Sequence, residues 1–243
     1  MNPMIITVVI PALNEEAVLA ESVRSVCARL RVSFPHDEWL VVVVDNASDD
    51  GTPEVAAALA AEEPRFRYER LAERGKGLAV REGWSRHPGD VNVFMDADLA
   101  VDLAALGPLV EAVRAGADMA IGSRYHPAST VHREWWRRVI SLGFRYVLRL
   151  RLGLKAKDAP CGFKAVSRRV LEEVVPLVRN DRWFFDTELL VRAERAGLRV
   201  AEVPVTWKER RRPGAGTRVN FFKVTAQYLR EVERLRKELK GSR

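Results

Sequence analysis

The chain has 243 residues, 47% of them hydrophobic, and a formal net charge of +7. This supports one sizeable core in an α/β domain and excludes a disordered chain. No apolar stretch approaches the ~18 residues of a membrane-spanning helix, and Cys27 and Cys161 form neither a metal-spacing motif nor a disulfide framework. The opening MNPMIITVVIPALNEE has no basic leader and no small-residue cleavage site, so no signal peptide is expected and a reducing cytoplasm fits. The charge is uneven. Residues 1–120 carry 11 basic and 20 acidic side chains, a net of −9; residues 124–169 carry 12 basic and 2 acidic, a net of +10. Such asymmetry predicts two sites of different chemistry.

In chain order, MIITVVI (4–10) and WLVVVV (39–44) are β-branched runs of the kind found in strands buried on both faces. FRYER (66–70), VNVFM (91–95) and DMAIG (118–122) are further predicted strands. Between them, residues 15–31 place Val18, Leu19, Ser22, Val23, Val26 and Leu30 at helical spacing, with Cys27 on the same stripe as a packed core thiol. Thr52-Pro53-Glu54 reads as an N-cap followed by Pro at the first helical position, and Asp102 is placed to cap a helix over 103–114. Alternation of strand and helix predicts a mostly parallel sheet with helices on both faces, with ligands at the carboxyl ends of its strands. Residues 133–154 then form a basic, apolar-rich segment; as a helix it puts Arg138, Ser141, Arg145 and Arg149 on one face. A helix over 186–196, a strand over 199–209, a mobile loop at RRRPGAGT (210–217) and a charged amphipathic helix over 219–239 complete the prediction.

Polar clusters stand just past three predicted strands: Pro11-Ala12-Leu13-Asn14-Glu15, Asp45-Asn46-Ala47-Ser48-Asp49-Asp50, and Asp96-Ala97-Asp98. Asp96 and Asp98 lie two residues apart, and in an extended chain such side chains point the same way. Two like charges so placed repel unless a cation lies between them. Hard divalent cations prefer carboxylate oxygens and keep phosphate or water oxygens as their other ligands. The pair is therefore expected to hold Mg²⁺ or Mn²⁺ and, through it, a diphosphate. Arg74-Gly75-Lys76-Gly77 lacks the pattern of a P-loop but opens a predicted helix, where backbone N–H groups and a lysine can meet a nucleotide.

These segments, with IGSRY, DAPCGFKAVSR and RWFFDTELLVRAERAGLRVAEVPVTWKE, occur in the order seen in inverting family 2 nucleotide-sugar glycosyltransferases of the GT-A fold. The chain most resembles the polyprenyl (dolichyl)-phosphate β-glucosyltransferase branch, from residue 5 to about residue 210. The resemblance implies an α/β, Rossmann-like GT-A sheet plus a C-terminal helix. It implies one domain over 1–243, with a nucleotide-sugar half (1–122), an acceptor half (123–210) and a loop and helix (211–243). It assigns Pro11, Asn14, Glu15, Asp45, Lys76, Gly77, Asp96 and Ala97 to the nucleotide sugar, with Asp45 reading the uracil edge, and Asp96 and Asp98 to the metal. Asp98, Asp186 and Glu188 are the expected catalytic carboxylates; Arg124, Arg138, Arg145 and Lys164 are expected at the acceptor or its phosphate. Mannosyl members usually read Asp-Ala-Asp-Leu-Gln, and Ala100 in place of that Gln favours UDP-glucose over GDP-mannose.

A phosphate monoester acceptor has a second pKa of about 6 and is largely dianionic at neutral pH, so it needs positive charge more than a base. The basic 124–169 segment supplies that charge, and its Trp135, Trp136, Phe144 and Tyr146 suit an isoprenoid chain or peripheral contact with a membrane's inner face. A hydroxyl acceptor is the alternative, with Asp186 or Glu188 as base. A dinucleotide-dependent dehydrogenase would need Gly-x-Gly-x-x-Gly where PALNEE stands. A nucleic-acid-binding protein would explain the net charge but not the carboxylates at the strand ends, so no nucleic-acid partner is expected.

Overall fold

The computed structural model describes residues 3–132, 135–208 and 221–241, with the side chains of 135–139 and 221–224 outside that description. The valine-rich runs form the centre of the sheet. Strand β1 (Ile5–Ala12) pairs in parallel with β2 (Glu38–Asn46), Ile5 opposite Glu38 through Ala12 opposite Asp45. Both are buried along almost their whole length, as β-branched strands covered on two faces must be. Helices α1 (Glu16–Ser33), α2 (Thr52–Glu62) and α3 (Lys76–Arg86) alternate with them, followed by β3 (Phe66–Leu71) beside β2 and β4 (Val91–Met95) beside β1. Asp102 caps the next turn as expected, accepting from the Ala104 amide at 2.8 Å, and a short 3₁₀ turn leads into α4 (Leu106–Arg114) and β5 (Met119–Ser123).

The expected cap at Thr52 is corrected. Thr52 is the first residue of α2, and its hydroxyl accepts from the Glu15 amide at 2.9 Å and donates to Asp50 at 2.5 Å. Those bonds join the loops after β1 and β2, a long-range role that outweighs the local cap.

The second half departs further from the predicted alternation. After β6 (Thr130–His132) and α5 (Trp135–Leu152), strand β7 (Phe163–Ser167) runs antiparallel between β4 and β5. Helices α6 (Arg168–Glu173) and α7 (Phe185–Arg195) follow. The strand predicted over 199–209 is two strands, β8 (Val200–Pro204) and β9 (Thr206–Lys208). Pro204 has no N–H to extend the ladder with β5, and the chain crosses there to pair with β6 in a separate two-stranded sheet. Helix α8 (Phe221–Gly241) closes the chain; the predicted loop at 210–217 lies outside the described residues. The main sheet has seven strands in the order β3-β2-β1-β4-β7-β5-β8, with β7 antiparallel to its neighbours.

Two apolar clusters cover its faces. Ile6, Val8 and Ile10 pack with Leu19, Val23, Cys27, Leu59 and Leu109 from α1, α2 and α4. Val9, Val42 and Val44 pack with Val80, Trp84, Leu189, Leu148 and Leu235 from α3, α7, α5 and α8. Each fully buried side chain of this size contributes about 1.5–3 kcal/mol. Burial pushes the Cys27 thiol up to about 12, which fits the inert core role.

Candidate active site

The carboxyl ends of β1, β2 and β4 open into a cavity of about 550 Å³, lined by Pro11, Leu13, Glu15, Asn46, Arg74, Lys76, Asp96, Ala97 and Asp98 on that side. Its far wall comes from residues 180–184 ahead of α7 and from Gln227, Tyr228 and Glu231 of α8. A smaller cavity of about 140 Å³ shares Asp96 and Asp98 and adds Ala100, Arg124, Cys161, Phe163 and Trp207. The two spaces meet at the carboxylate pair.

The cation beside Asp96 is a protein group. Lys76 Nζ lies 2.8 Å from Asp96 and 3.2 Å from Asp186, with the Phe94 and Trp183 rings 5.3 and 5.5 Å away. Burial works to lower this ammonium, but the Asp186 and Asp96 carboxylates outweigh it and hold it charged well above the usual lysine range. Gly162 lies beneath: its carbonyl accepts from the Asp96 amide at 3.1 Å, and a Cβ there would push the Asp96 carboxylate aside. Asp98 accepts from the Ala100 amide at 3.1 Å. The pair offers hard oxygen donors facing both cavities, which fits Mg²⁺ or Mn²⁺. Among the described residues there is no group of three or more His, Cys, Asp or Glu side chains able to hold a metal, so the remaining ligands of such an ion would come from substrate and water.

Several expected site residues support the cavity from outside it. Asn14 adopts a left-handed backbone (φ 58°), which Asn tolerates; its amide donates to Ser48 and its side chain accepts from Asp49, both at 2.9 Å. Asp45 is fully buried and accepts from the Ser48 amide at 2.8 Å and the Tyr68 hydroxyl at 3.1 Å. Burial, and then Asp45 itself, push that hydroxyl up to about 12, so it stays a donor. Gly77 is set by packing: a Cβ there would lie 2.5 Å from Phe185 Cβ, where α3 meets α7.

The late carboxylates and Lys164 have structural partners of their own. Lys164 is fully buried and donates to the Ala159 carbonyl at 2.9 Å, the Cys161 carbonyl, and Asp186 at 3.2 Å. It fixes the loop carrying Gly162 and has no path to an acceptor phosphate. Asp186, 3% exposed, joins Lys164 to Lys76. Glu188 is fully buried and accepts from the Arg179 and Asn180 amides, from Arg192 at 2.7 Å and from Arg234 of α8 at 2.6 Å. Closed off from both cavities and saturated with donors, it anchors α8 and is not placed to take a proton from substrate.

Arg124 does line the smaller cavity. It forms a fork on the buried Asp158 carboxylate (2.7 and 2.8 Å) and lies 5.6 Å from the Trp207 ring. Arg145 sits 5.4 Å over the Tyr125 ring, away from the lining of either cavity. The side chain of Arg138 lies outside the described residues. Sequence reasoning missed Arg182, Trp183, Gln227 and Tyr228 as cavity residues. Trp183 stood in the quoted RWFFDTELL, and an exposed tryptophan beside charged residues was the available signal; nothing local marked α8.

The glycosyl transferase family 2 model matches residues 7–175. The chain belongs to glycosyl transferase family 2. It is 40% identical over 220 residues to the glycosyltransferase AglD of Haloferax volcanii, covering 90% of this chain but 35% of that protein. It thus spans about a third of that relative's length. It is 35% identical to polyprenol monophosphomannose synthase of Mycolicibacterium smegmatis, covering 92% of this chain and 86% of that one. It is 29% identical to dolichyl-phosphate β-glucosyltransferase of Saccharomyces cerevisiae, covering 84% and 67%. Glucosyl-3-phosphoglycerate synthase from Mycobacterium tuberculosis, in complex with Mn²⁺, UDP and phosphoglyceric acid, superposes with a TM-score of 0.70 at 23% identity, over 96% of this chain and 77% of that one. That likeness is one of fold, and the family 2 sheet described above is a GT-A sheet.

Proposed function

We propose that this family 2 glycosyltransferase moves a hexose from a nucleotide diphosphate sugar, UDP-glucose, to a polyprenyl phosphate, with inversion and with Mg²⁺ or Mn²⁺ at Asp96 and Asp98. The observation that carries this is the junction of two cavities at that carboxylate pair, with Lys76 on one side and Arg124 on the other. Pro11, Leu13, Glu15, Asn46 and Arg74 offer the nucleotide its wall. Relatives of similar identity are named for dolichyl-phosphate glucosyl transfer and for polyprenol monophosphomannose synthesis; Ala100 in the smaller cavity supports glucose.

In the transfer, an acceptor phosphate oxygen bonds to the anomeric carbon. The bond from that carbon to the diphosphate oxygen breaks, and its electron pair leaves with the nucleoside diphosphate. No proton has to move, because the acceptor is already a dianion near neutral pH. Asp96 and Asp98 would hold a divalent ion, which would supply neutralising charge for the leaving diphosphate. Lys76 and Arg124 offset the carboxylates of Asp96, Asp186 and Asp158 at the junction, so that two anionic substrates do not meet uncompensated negative charge. A hydroxyl acceptor would need a base, and the two oxygens of Asp186 each meet a lysine ammonium, which supports the phosphate reading.

Incubation with a panel of nucleotide sugars, either metal and polyprenyl phosphate should yield a glycolipid from UDP-glucose; transfer only to hydroxyl acceptors would overturn the reading. UDP is expected to raise the melting temperature only with a divalent cation present, by the equivalent of about 2.7 kcal/mol at a hundredfold excess over Kd. Equal protection in chelator would count against a metal-bridged diphosphate.

Access to a lipid acceptor fits a peripheral site. No helix among the described residues is long and apolar enough to cross a membrane. On α5, Leu142, Tyr146 and Leu150 are exposed at helical spacing with Arg145 and Arg149 between them. Such a face binds anionic surfaces at about 1 kcal/mol per basic residue, screened by salt. Vesicle sedimentation at low salt that is lost at high salt is the expected result; none at low salt would remove this site.

A further inference from the structure

Trp183 has no evident structural reason for its position. It is 68% exposed, immediately ahead of α7, on the rim of the larger cavity. Its ring lies 5.5 Å from the Lys76 ammonium, which itself touches Asp96. Exposed Arg182 stands next to it in the same wall. The position thus joins an apolar platform to two cations at the reacting end of the cavity.

Behind that platform, buried Phe184 ties the wall to α8 and α5. Phe184 packs edge-on against Tyr228 of α8 at 4.9 Å, and Tyr228 packs edge-on against Phe144 of α5 at 5.3 Å. Tyr228 also lines the cavity, and α5 carries the exposed Leu142, Tyr146 and Leu150. A nucleotide sugar offers one base and one sugar ring to stack but no apolar chain to lie along the wall. A phosphate carrying an isoprenoid chain matches the wall, with an anionic head for Lys76 and Arg182 and an apolar tail for the exposed Trp183 indole and the cavity side of Tyr228.

We propose, resting on the acceptor class inferred above, that Trp183 is the acceptor-positioning residue. The first isoprene units lie on its indole face, and the acceptor phosphate is thereby held at Lys76 and Arg182. Stacked and edge contacts of this kind supply affinity through burial of apolar area, and they fix the head group close to the anomeric carbon.

The test uses the full chain, UDP-glucose, Mn²⁺ and soluble prenyl phosphates of one, two and three isoprene units. The wild type should gain in kcat/KM with each added unit. Trp183→Ala should lose about tenfold with the three-unit acceptor, mainly through acceptor KM, and should respond little to chain length. Trp183→Phe should keep most of the gain. Donor KM and melting temperature should stay at wild-type values, since the side chain is mostly exposed. Unchanged length dependence in Trp183→Ala would overturn the proposal, and so would a raised donor KM with acceptor KM unchanged, which would make Trp183 a donor contact. A wild type that transfers to none of the three and to no longer polyprenyl phosphate would instead overturn the acceptor class itself.

Discussion

Asp96→Asn is expected to lower kcat/KM by at least about a hundredfold, since even a partner behind a metal ligand typically costs 10–100-fold. The fold should survive the change. The Asp96 side chain is 44% exposed, and its ion pair with Lys76 is one of two, because Asp186 still holds the ammonium. Asn fits the same space above Gly162, where any larger contact from below is excluded. Asp98→Asn should behave alike, retaining the short turn to Ala100 while losing charge. Titrating Mn²⁺ against activity and following the melt of each variant checks both halves of the claim. Wild-type activity in either variant would remove the metal role, and a collapsed melt would make the pair structural.

Glu188→Gln is expected to be the most destabilising single exchange in the site region, costing about 3–5 kcal/mol as the breaking of a buried ion pair does. Glu188 is fully buried and stands between Arg192 and Arg234, so the change removes the buried carboxylate they share and leaves them the partly exposed Glu238 and Glu231. At about 2–4 °C per kcal/mol for a chain this long, the melting temperature should fall by roughly 6–20 °C. Glu238→Gln, on the more exposed side of the same network, should cost much less. A catalytic base would behave oppositely, with an unchanged melt and lost activity at every temperature. Measuring both variants by thermal melt and by initial rate well below the transition separates anchor from base.

The first half of the molecule was readable because its signals are local. Valine runs, turn residues and helical spacing lie within single windows, and β1, β2, β4 and α1 appear where those windows put them. In the second half β5, α5, α7 and α8 were legible in the same way, but β7 and the split of β8 from β9 were not. FKAVS is an unremarkable pentapeptide, and its burial as β7 depends on strands about 45 and 70 residues earlier in the chain. Lys164 within it reads as a surface cation, yet Asp186 and two carbonyls make its burial tolerable. Asp96, Asp98 and Lys76, expected from their residue chemistry, and Arg124, expected from the resemblance, all line the cavities. Residue chemistry could not separate them from Glu188 and Lys164, because a charged side chain that binds substrate and one that braces a helix have the same letter. Burial and saturation of donors make that distinction, and both are tertiary properties.

The position of β7 also bears on the order in which the molecule is built. Strands β4 and β5 never touch in the ladder; β7 alone joins the β3-β2-β1-β4 group to the β5-β8 pair. As the chain leaves the ribosome, the first group has all its partners after about 95 residues and is free to condense. Strand β5 emerges soon after with an empty slot beside it, and that slot stays open until residues 163–167 arrive. During that interval two hydrogen-bonding edges face each other unpaired, the situation in which strands recruit foreign partners. Closure of the slot brings Gly162 under Asp96 in the same event. Nascent chains therefore join β4 to β5 and set Gly162 beneath Asp96 together, before β8 is added at the edge, and refolding should show a slow late phase, as non-local strand insertion does.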